Sequence, residues 1–245
     1  MKNLTLFLIT FFAINNTCFG QFILSKHKSQ FTGVRASVGG YYDDFHNISM
    51  EGLLSLIKSD QSYDFNPSLY QEGEYYAALS GGNIGFEAIF HPKGPDGEAK
   101  LKQELRIGAS ANIAREAMLD VERLNGGYDY LTLCIIENEF LINSAYIFKA
   151  PYFGGLFDVY AGPGVSVGST FGNEFIFLGG TDQSSLEAKN SSYFRGTIIA
   201  GGSINLRRFF YQMEGAIGLG TQVVHDGRAN TFNTGNFRFA IGYRL

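Results

Sequence analysis

Residues 237–245 alternate strictly. Phe237, Phe239, Ile241, Tyr243 and Leu245 share one parity, and Arg238, Ala240, Gly242 and Arg244 the other. A period of two predicts a strand with one apolar face and one small or charged face. The pattern recurs and predicts about eight strands, at 32–42, 82–90, 103–114, 130–148, 157–169, 194–206, 209–223 and 237–245. It is cleanest in the third, where Leu105, Ile107, Ala109, Ala111 and Ile113 oppose Arg106, Gly108, Ser110 and Asn112. One stretch has another period: Met50, Leu53, Leu54 and Ile57 stand at i, i+3, i+4 and i+7 and predict a helix over 49–59. Packing on a barrel rim is its expected role, with a membrane surface or a partner as the alternative.

The links between strands alternate in length. Those at 43–81, 115–129, 170–193 and 224–236 are longer than those at 91–102, 149–156 and 207–208. This is the pattern of an antiparallel up-and-down transmembrane barrel with long external loops and short periplasmic turns. An even strand count puts both termini in the periplasm.

Before the first strand, Lys2 precedes an apolar run over 4–14 broken only by Thr5 and Thr10, with Cys18 and Gly20 three and one before a cut ahead of Gln21. That is the grammar of a secretory signal peptide, too short to span a bilayer as a helix. The expected organisation is a signal peptide at 1–20, a periplasmic segment at 21–30 and an outer-membrane barrel at 31–245. Cys134 is then the only cysteine of the mature chain, which leaves no internal disulfide. The absence of a second long apolar run excludes helical membrane spans. Gly at 31 of 245 suits a crowded lumen, and 23 Phe and 14 Tyr suit interfacial girdles, where Tyr must stand in for the missing Trp. A net charge of −4 argues against nucleic acid as a partner.

The segment Val159-Tyr160-Ala161-Gly162-Pro163-Gly164-Val165, the closing strand and the signal peptide together resemble a small outer-membrane β-barrel protein, of the eight-stranded type grouped with the OmpA and OmpX membrane domains. A PorT-like barrel is similar in size. The resemblance implies an architecture, with outer-membrane lipid as its surroundings, and no particular activity.

Candidate chemistry is sparse. His27, His46, His91 and His225 show no metal-ligand spacing. His225 with Asp226, and His46 after Asp43 and Asp44, read as polar loop residues more readily than as part of a lipid hydrolase. Gly162-Pro163-Gly164 is followed by no helix, and its Pro removes a donor that a phosphate loop needs, so these glycines are expected to make room for lumen side chains. No catalytic, cofactor or metal residues are assigned. The inward charges, strand by strand, are Arg35, Glu87, Arg106, Glu137 with Glu139, Asp158, Arg195, Glu214, and Arg238 with Arg244. Their signs alternate between neighbouring strands except from the fourth to the fifth and at the closing pair. Unpaired charges in a tight lumen are costly, so this predicts a plug of ion pairs between adjacent strands, with Glu87 held between Arg35 and Arg106. The expected role is structural or surface interaction through loops 43–80 and 170–192. A small-solute channel, an outer-leaflet lipid-modifying enzyme and a soluble lipocalin-like barrel are the alternatives.

Overall fold

Alternating residues become the two faces of one rolled sheet in a computed structural model of the protein, which describes residues 29–45, 49–63, 65–93, 102–124, 130–179, 184–224 and 229–245. Its strands are β1 (Ser29–Phe45), β2 (Tyr70–Pro92), β3 (Gln103–Arg123), β4 (Tyr130–Tyr152), β5 (Phe157–Leu178), β6 (Ser184–Glu187), β7 (Ser191–Leu206), β8 (Phe209–Val224) and β9 (Ala229–Arg244), with one helix, α1 (Met50–Leu54), after β1. The strands pair antiparallel in the order β1-β2-β3-β4-β5-β7-β8-β9, and β9 returns to β1 from Gly33↔Arg244 to Phe45↔Phe232. Eight strands close the ring. The ninth, β6, adds to the end of β5 outside it, one strand beyond the sequence expectation. Links 93–102, 153–156 and 207–208 lie at one end, called here the turn end, and the remaining links at the loop end. The signal peptide expected at 1–20 and the segment up to residue 28 lie outside the described residues.

Within the ring, parity separates the two faces. Arg35, Ser37, Tyr41 and Asp43 of β1 point inward and are buried, while Val38 between them is 59% exposed. Ile84, Phe86, Ile107, Phe140, Ile142, Ile198, Ile217 and Phe239 continue an exposed apolar belt around the outside. Inward glycines make room for larger neighbours: a Cβ on Gly164 would stand 2.8 Å from Ile199 Cδ1, and one on Gly242 1.9 Å from the Phe210 ring.

The strands β2, β3, β5 and β9 run well beyond the sequence alternation toward the loop end. On β3 the parity slips at Ala114 (φ 52°), where the pairing with β4 shifts between Asn112 and Arg115. Such a bulge adds one residue to one strand, so odd-numbered residues take over the inner face: Arg115, Ala117, Leu119 and Val121. Gly172 (φ 59°) has the same effect on β5, turning Asn173, Phe175 and Phe177 inward. Residues 70–80 and 170–178 are therefore strand, not external loop.

Above the bulges the extended strands enclose an apolar core of Leu119, Val121, Leu133, Ile135, Phe175 and Phe177, with Phe45, Phe232 and Val224 at its floor. The segment after α1 fills it. Ser49 caps the helix by accepting from Gly52 N at 3.0 Å, and Leu53 and Leu54 insert into the core. The helix is shorter than the predicted 49–59, because the chain leaves it to pair with the β6 region: Lys58 N donates to Glu187 O, and Lys189 N to Leu56 O. Ile57 bridges Ala188 there, so the apolar face of this segment is spent on the core.

Candidate functional site

Among the described residues the lumen holds the buried charge, and the strands present it in two layers. In the layer nearer the turn end, Glu214 of β8 is the hub. Its Oε2 accepts from Arg35 Nη1 (2.8 Å), Arg106 Nη1 (2.7 Å) and Tyr160 Oη (3.1 Å), and its Oε1 from Arg35 Nη2 (2.9 Å) and lies 2.7 Å from Arg238 Nη2. Arg35 also contacts Glu87 through Nε and donates to Gln212 Oε1 at 2.8 Å. Arg106 turns its Nε to Glu104 Oε1 at 2.5 Å and stacks 4.8 Å from the centre of the Tyr160 ring. Lys149 contacts Glu104, and His91 sits 4.0 Å from the same carboxylate with Thr32 Oγ1 2.6 Å from its Nδ1.

The layer nearer the loop end is built on Arg195 of β7 and Arg115 of β3. Arg195 makes a two-pronged contact with Glu139 (2.7 and 3.0 Å) and reaches Asp43 at 2.6 Å. Arg115 reaches Asp43 at 2.7 Å and Glu139 at 2.8 Å. Tyr193 lies against both guanidiniums, 4.5 and 4.9 Å from its ring centre, and donates to Glu137 at 2.9 Å. Fork-shaped guanidiniums can serve two carboxylates at once, which lets a few arginines satisfy many buried acids. A third, smaller group closes the turn end: Arg244 donates to Asn205 at 2.6 Å, and Asn205 donates to Asp158 at 2.8 Å.

Between the two layers lies a cavity of about 50 Å³ bordered by Asn83, Ser110, Asn112, Asn143 and Asn236. Asn83 donates to Asn112 (2.6 Å), and Asn112 to Glu139 (2.7 Å), so the polar ladder joins the upper layer. Tyr41 Oη, Asn83 Oδ1 and Asn236 Oδ1 have no hydrogen-bond partner among the described residues. That combination of polarity and room suits a few water molecules.

All ten charges singled out from the sequence face the lumen, but only some of them pair with the expected neighbours. Arg35 with Glu87 and Glu214 with Arg238 pair across neighbouring strands. Several other contacts cross the lumen, such as Arg106 to Glu214 and Arg195 to Asp43, because the ring is narrow enough for a long side chain to span it. Glu87 does not hold Arg106. Its second, longer contact is to Arg238 at 3.9 Å, and Glu214 is the carboxylate that gathers three guanidiniums. Asp158 and Arg244 communicate through Asn205.

Glu104, Arg115 and Lys149 are lumen residues that the sequence reading does not single out, and Asp43, read there as a polar loop residue, is a buried lumen residue of β1. Asp43, Glu104 and Lys149 keep the inward parity of their strands and are within reach of the alternation. Arg115 is hidden by the bulge, and only the reversed alternation of Ala117, Leu119 and Val121 betrays it. His46, His225 and Asp226 lie outside the described residues. Among the described residues, no group of three His, Cys, Asp or Glu side chains could hold a metal ion.

No protein-family model matches the chain, and no curated protein sequence does. Among solved structures, the chain is similar to Neisserial surface protein A, at 9% identity over 89% of this chain and 99% of that one, with a TM-score of 0.39. It is also similar to Ail, the attachment invasion locus protein of Yersinia pestis, solved with the heparin analogue sucrose octasulfate (12% identity, 88% and 100% covered, TM-score 0.33). A major outer membrane protein from Thermus thermophilus is a third (11%, 86% and 99%, TM-score 0.38). The chain has a β-rich fold resembling known small outer-membrane barrel proteins at low identity.

Proposed function

We propose that this protein is an integral outer-membrane barrel with both termini on the periplasmic side, a lumen shut by ion pairs, and a structural or surface-contact role carried by its loop end. The observation that carries the reading is the inversion of polarity in the ring. Ile142 is 62% exposed, Ile217 70% and Leu219 69%, while Arg106, Arg115 and Glu139 are fully buried. A continuous apolar belt of this extent is untenable in water and is what a bilayer requires of a closed sheet.

The role assigned is non-catalytic. Ion pairs fill the lumen and an apolar core lies above it, so contacts with the outside fall to the cap formed by α1, β6 and the extended strands. The low side of that cap carries an open cleft of about 880 Å³ lined by Lys58, Asp60, Lys189, Ser192, Val223 and Val224, which offers a contact surface of mixed polarity.

Fractionation tests the reading. The full chain should be found in outer-membrane fractions and migrate faster on a gel when unboiled, as a folded lipid-embedded barrel does. Recovery as a soluble periplasmic protein with no heat-dependent shift would overturn it.

A further inference from the structure

We propose that the turn end of the barrel is a docking rim for the phosphate groups of anionic glycerophospholipids. The proposal rests on the membrane-barrel reading above and assigns that reading a lipid class and a leaflet.

The two ends of the molecule differ in charge. At the turn end the solvent-facing charged side chains among the described residues are Lys93, Lys102, Arg207 and Arg208, all basic. The acids at this end, Glu104 and Asp158, are buried and engaged, the first by Arg106 and Lys149 and the second by Asn205. At the loop end Glu51, Asp60, Glu72, Glu122, Glu174 and Glu187 outnumber Lys58, Arg123 and Lys189.

The basic residues are set in an aromatic rim. Phe148, Tyr152, Phe209 and Tyr211 are about half exposed and Phe153 is 85% exposed, continuous with the apolar belt. Aromatic side chains favour the boundary between hydrocarbon and headgroups. Arg208 donates to Tyr243 Oη at 3.0 Å, which holds its guanidinium against that rim. The backbone supports the same assignment. Among the described residues, two of the three non-glycine residues with positive φ are Phe153 (50°) and Arg207 (53°), both in turns at this end. Tight hairpin turns take Asn or Gly at such positions without strain. Here they carry the two side-chain types that a lipid interface uses, an aromatic ring for the acyl boundary and a guanidinium for a phosphate. Lys and Arg beside an anionic leaflet attract its headgroups.

The test uses the full-length protein folded into phosphatidylcholine vesicles, with insertion verified by heat-modifiable migration. Spin-labelled phosphatidylglycerol and phosphatidylcholine are the probes. The expected result is a preference for the anionic lipid of about fivefold or more. It should fall to near one in a variant carrying Lys93→Gln, Lys102→Gln, Arg207→Gln and Arg208→Gln, and stay unchanged in Glu72→Gln/Glu187→Gln at the other end. Equal association of both lipids with inserted wild-type protein would overturn the rim alone. Failure to insert would overturn the membrane reading and the rim with it. Displacement of the lipid by millimolar inorganic phosphate would make this a free-phosphate site and overturn the lipid assignment.

Discussion

The lumen and the cap are enclosed by the same strands, yet their polarities are opposite. Below Ala114 and Gly172, β3, β4 and β5 turn Arg106, Glu139 and Asp158 inward and Ile107, Ile142 and Val159 outward. Above those two bulges the same strands bury Leu119, Leu133, Ile135 and Phe175 and set Glu116, Asp120, Glu122 and Glu174 on the outside. A chain in water hides its apolar side chains, and a chain in lipid exposes them. On the membrane reading proposed above, the inversion marks the level at which the surroundings change from lipid to water. On β3 and β5 the bulges are the device that makes it, since one extra residue exchanges the faces of a strand, while β4 keeps its parity and changes composition along its inner face, from Glu139 and Glu137 to Ile135 and Leu133. Arg115 and Glu137 stand at that level, just on the cap side of the slip, and link the two regions.

If lumen and cap are held by different physics, they should fail differently. The largest effect is expected at the ionic hub. Glu214→Ala leaves Arg35, Arg106 and Arg238 facing one another without their shared carboxylate, and breaking a buried pair costs about 3–5 kcal/mol. The midpoint of denaturant unfolding of the reconstituted barrel should fall accordingly, and Glu87→Ala should cost less because Arg35 keeps Glu214. Equal losses would return Glu87 to the centre of the network.

Leu53→Ala removes a fully buried side chain from the cap core and should cost about 2–5 kcal/mol, confined to the cap. Limited proteolysis should then cut within 49–63 while the barrel keeps its fast migration on unboiled gels. Loss of both together would show the cap and barrel to be one cooperative unit.

A charge on the lipid face is next. Ile107→Arg should destabilise the barrel by about 2–4 kcal/mol if its outward position lies near mid-membrane, and Gln71→Arg on the cap exterior should have no measurable effect on the same unfolding curve. Similar tolerance at both positions would place the belt in water.

The smallest effect is expected at Lys58 and Glu187, an exposed pair on the cap. The hydrogen bond and charge of Glu187 raise the Lys58 ammonium above its ordinary 10.5, and Lys58 lowers the Glu187 carboxyl below its ordinary 4.5. The raised Lys58 stabilises fully below pH 10.5 and loses its contribution as pH rises through its folded value. The lowered Glu187 stabilises fully above pH 4.5 and loses its contribution as pH falls through its folded value. Hydrogen exchange in the cap should thus be insensitive to this pair from about pH 5 to 10. A change in protection near neutral pH, after correction for the base-catalysed intrinsic exchange rate, would implicate a different group.

The parity rule explains what the sequence disclosed. It assigns the apolar belt and the inward Arg35, Glu87, Arg195 and Glu214 because a strand's two faces are read from neighbours in the chain. It cannot assign partners, since Arg106 and Glu214 meet across a lumen whose tilt and width no local pattern encodes. The cap is legible only in part. The spacing of Leu53, Leu54 and Ile57 announces an apolar face, but the strands that cover it lie beyond bulges, where the alternation resumes in the opposite phase and reads as loop. The length of the helix is not legible, because the backbone pairing of Lys58 and Lys189 that ends it is long-range.

On the membrane reading, the level of Ala114 and Gly172 divides lipid from water. Single fluorescent labels at Ile107, Phe140, Glu116 and Glu174, read in vesicles containing either a lipid-borne or a water-soluble quencher, test it most directly. Labels at Ile107 and Phe140 should respond to the lipid-borne quencher, and labels at Glu116 and Glu174 to the water-soluble one. Quenching of all four from water, or no break between Ile107 and Glu116 along the one strand β3, would contradict it.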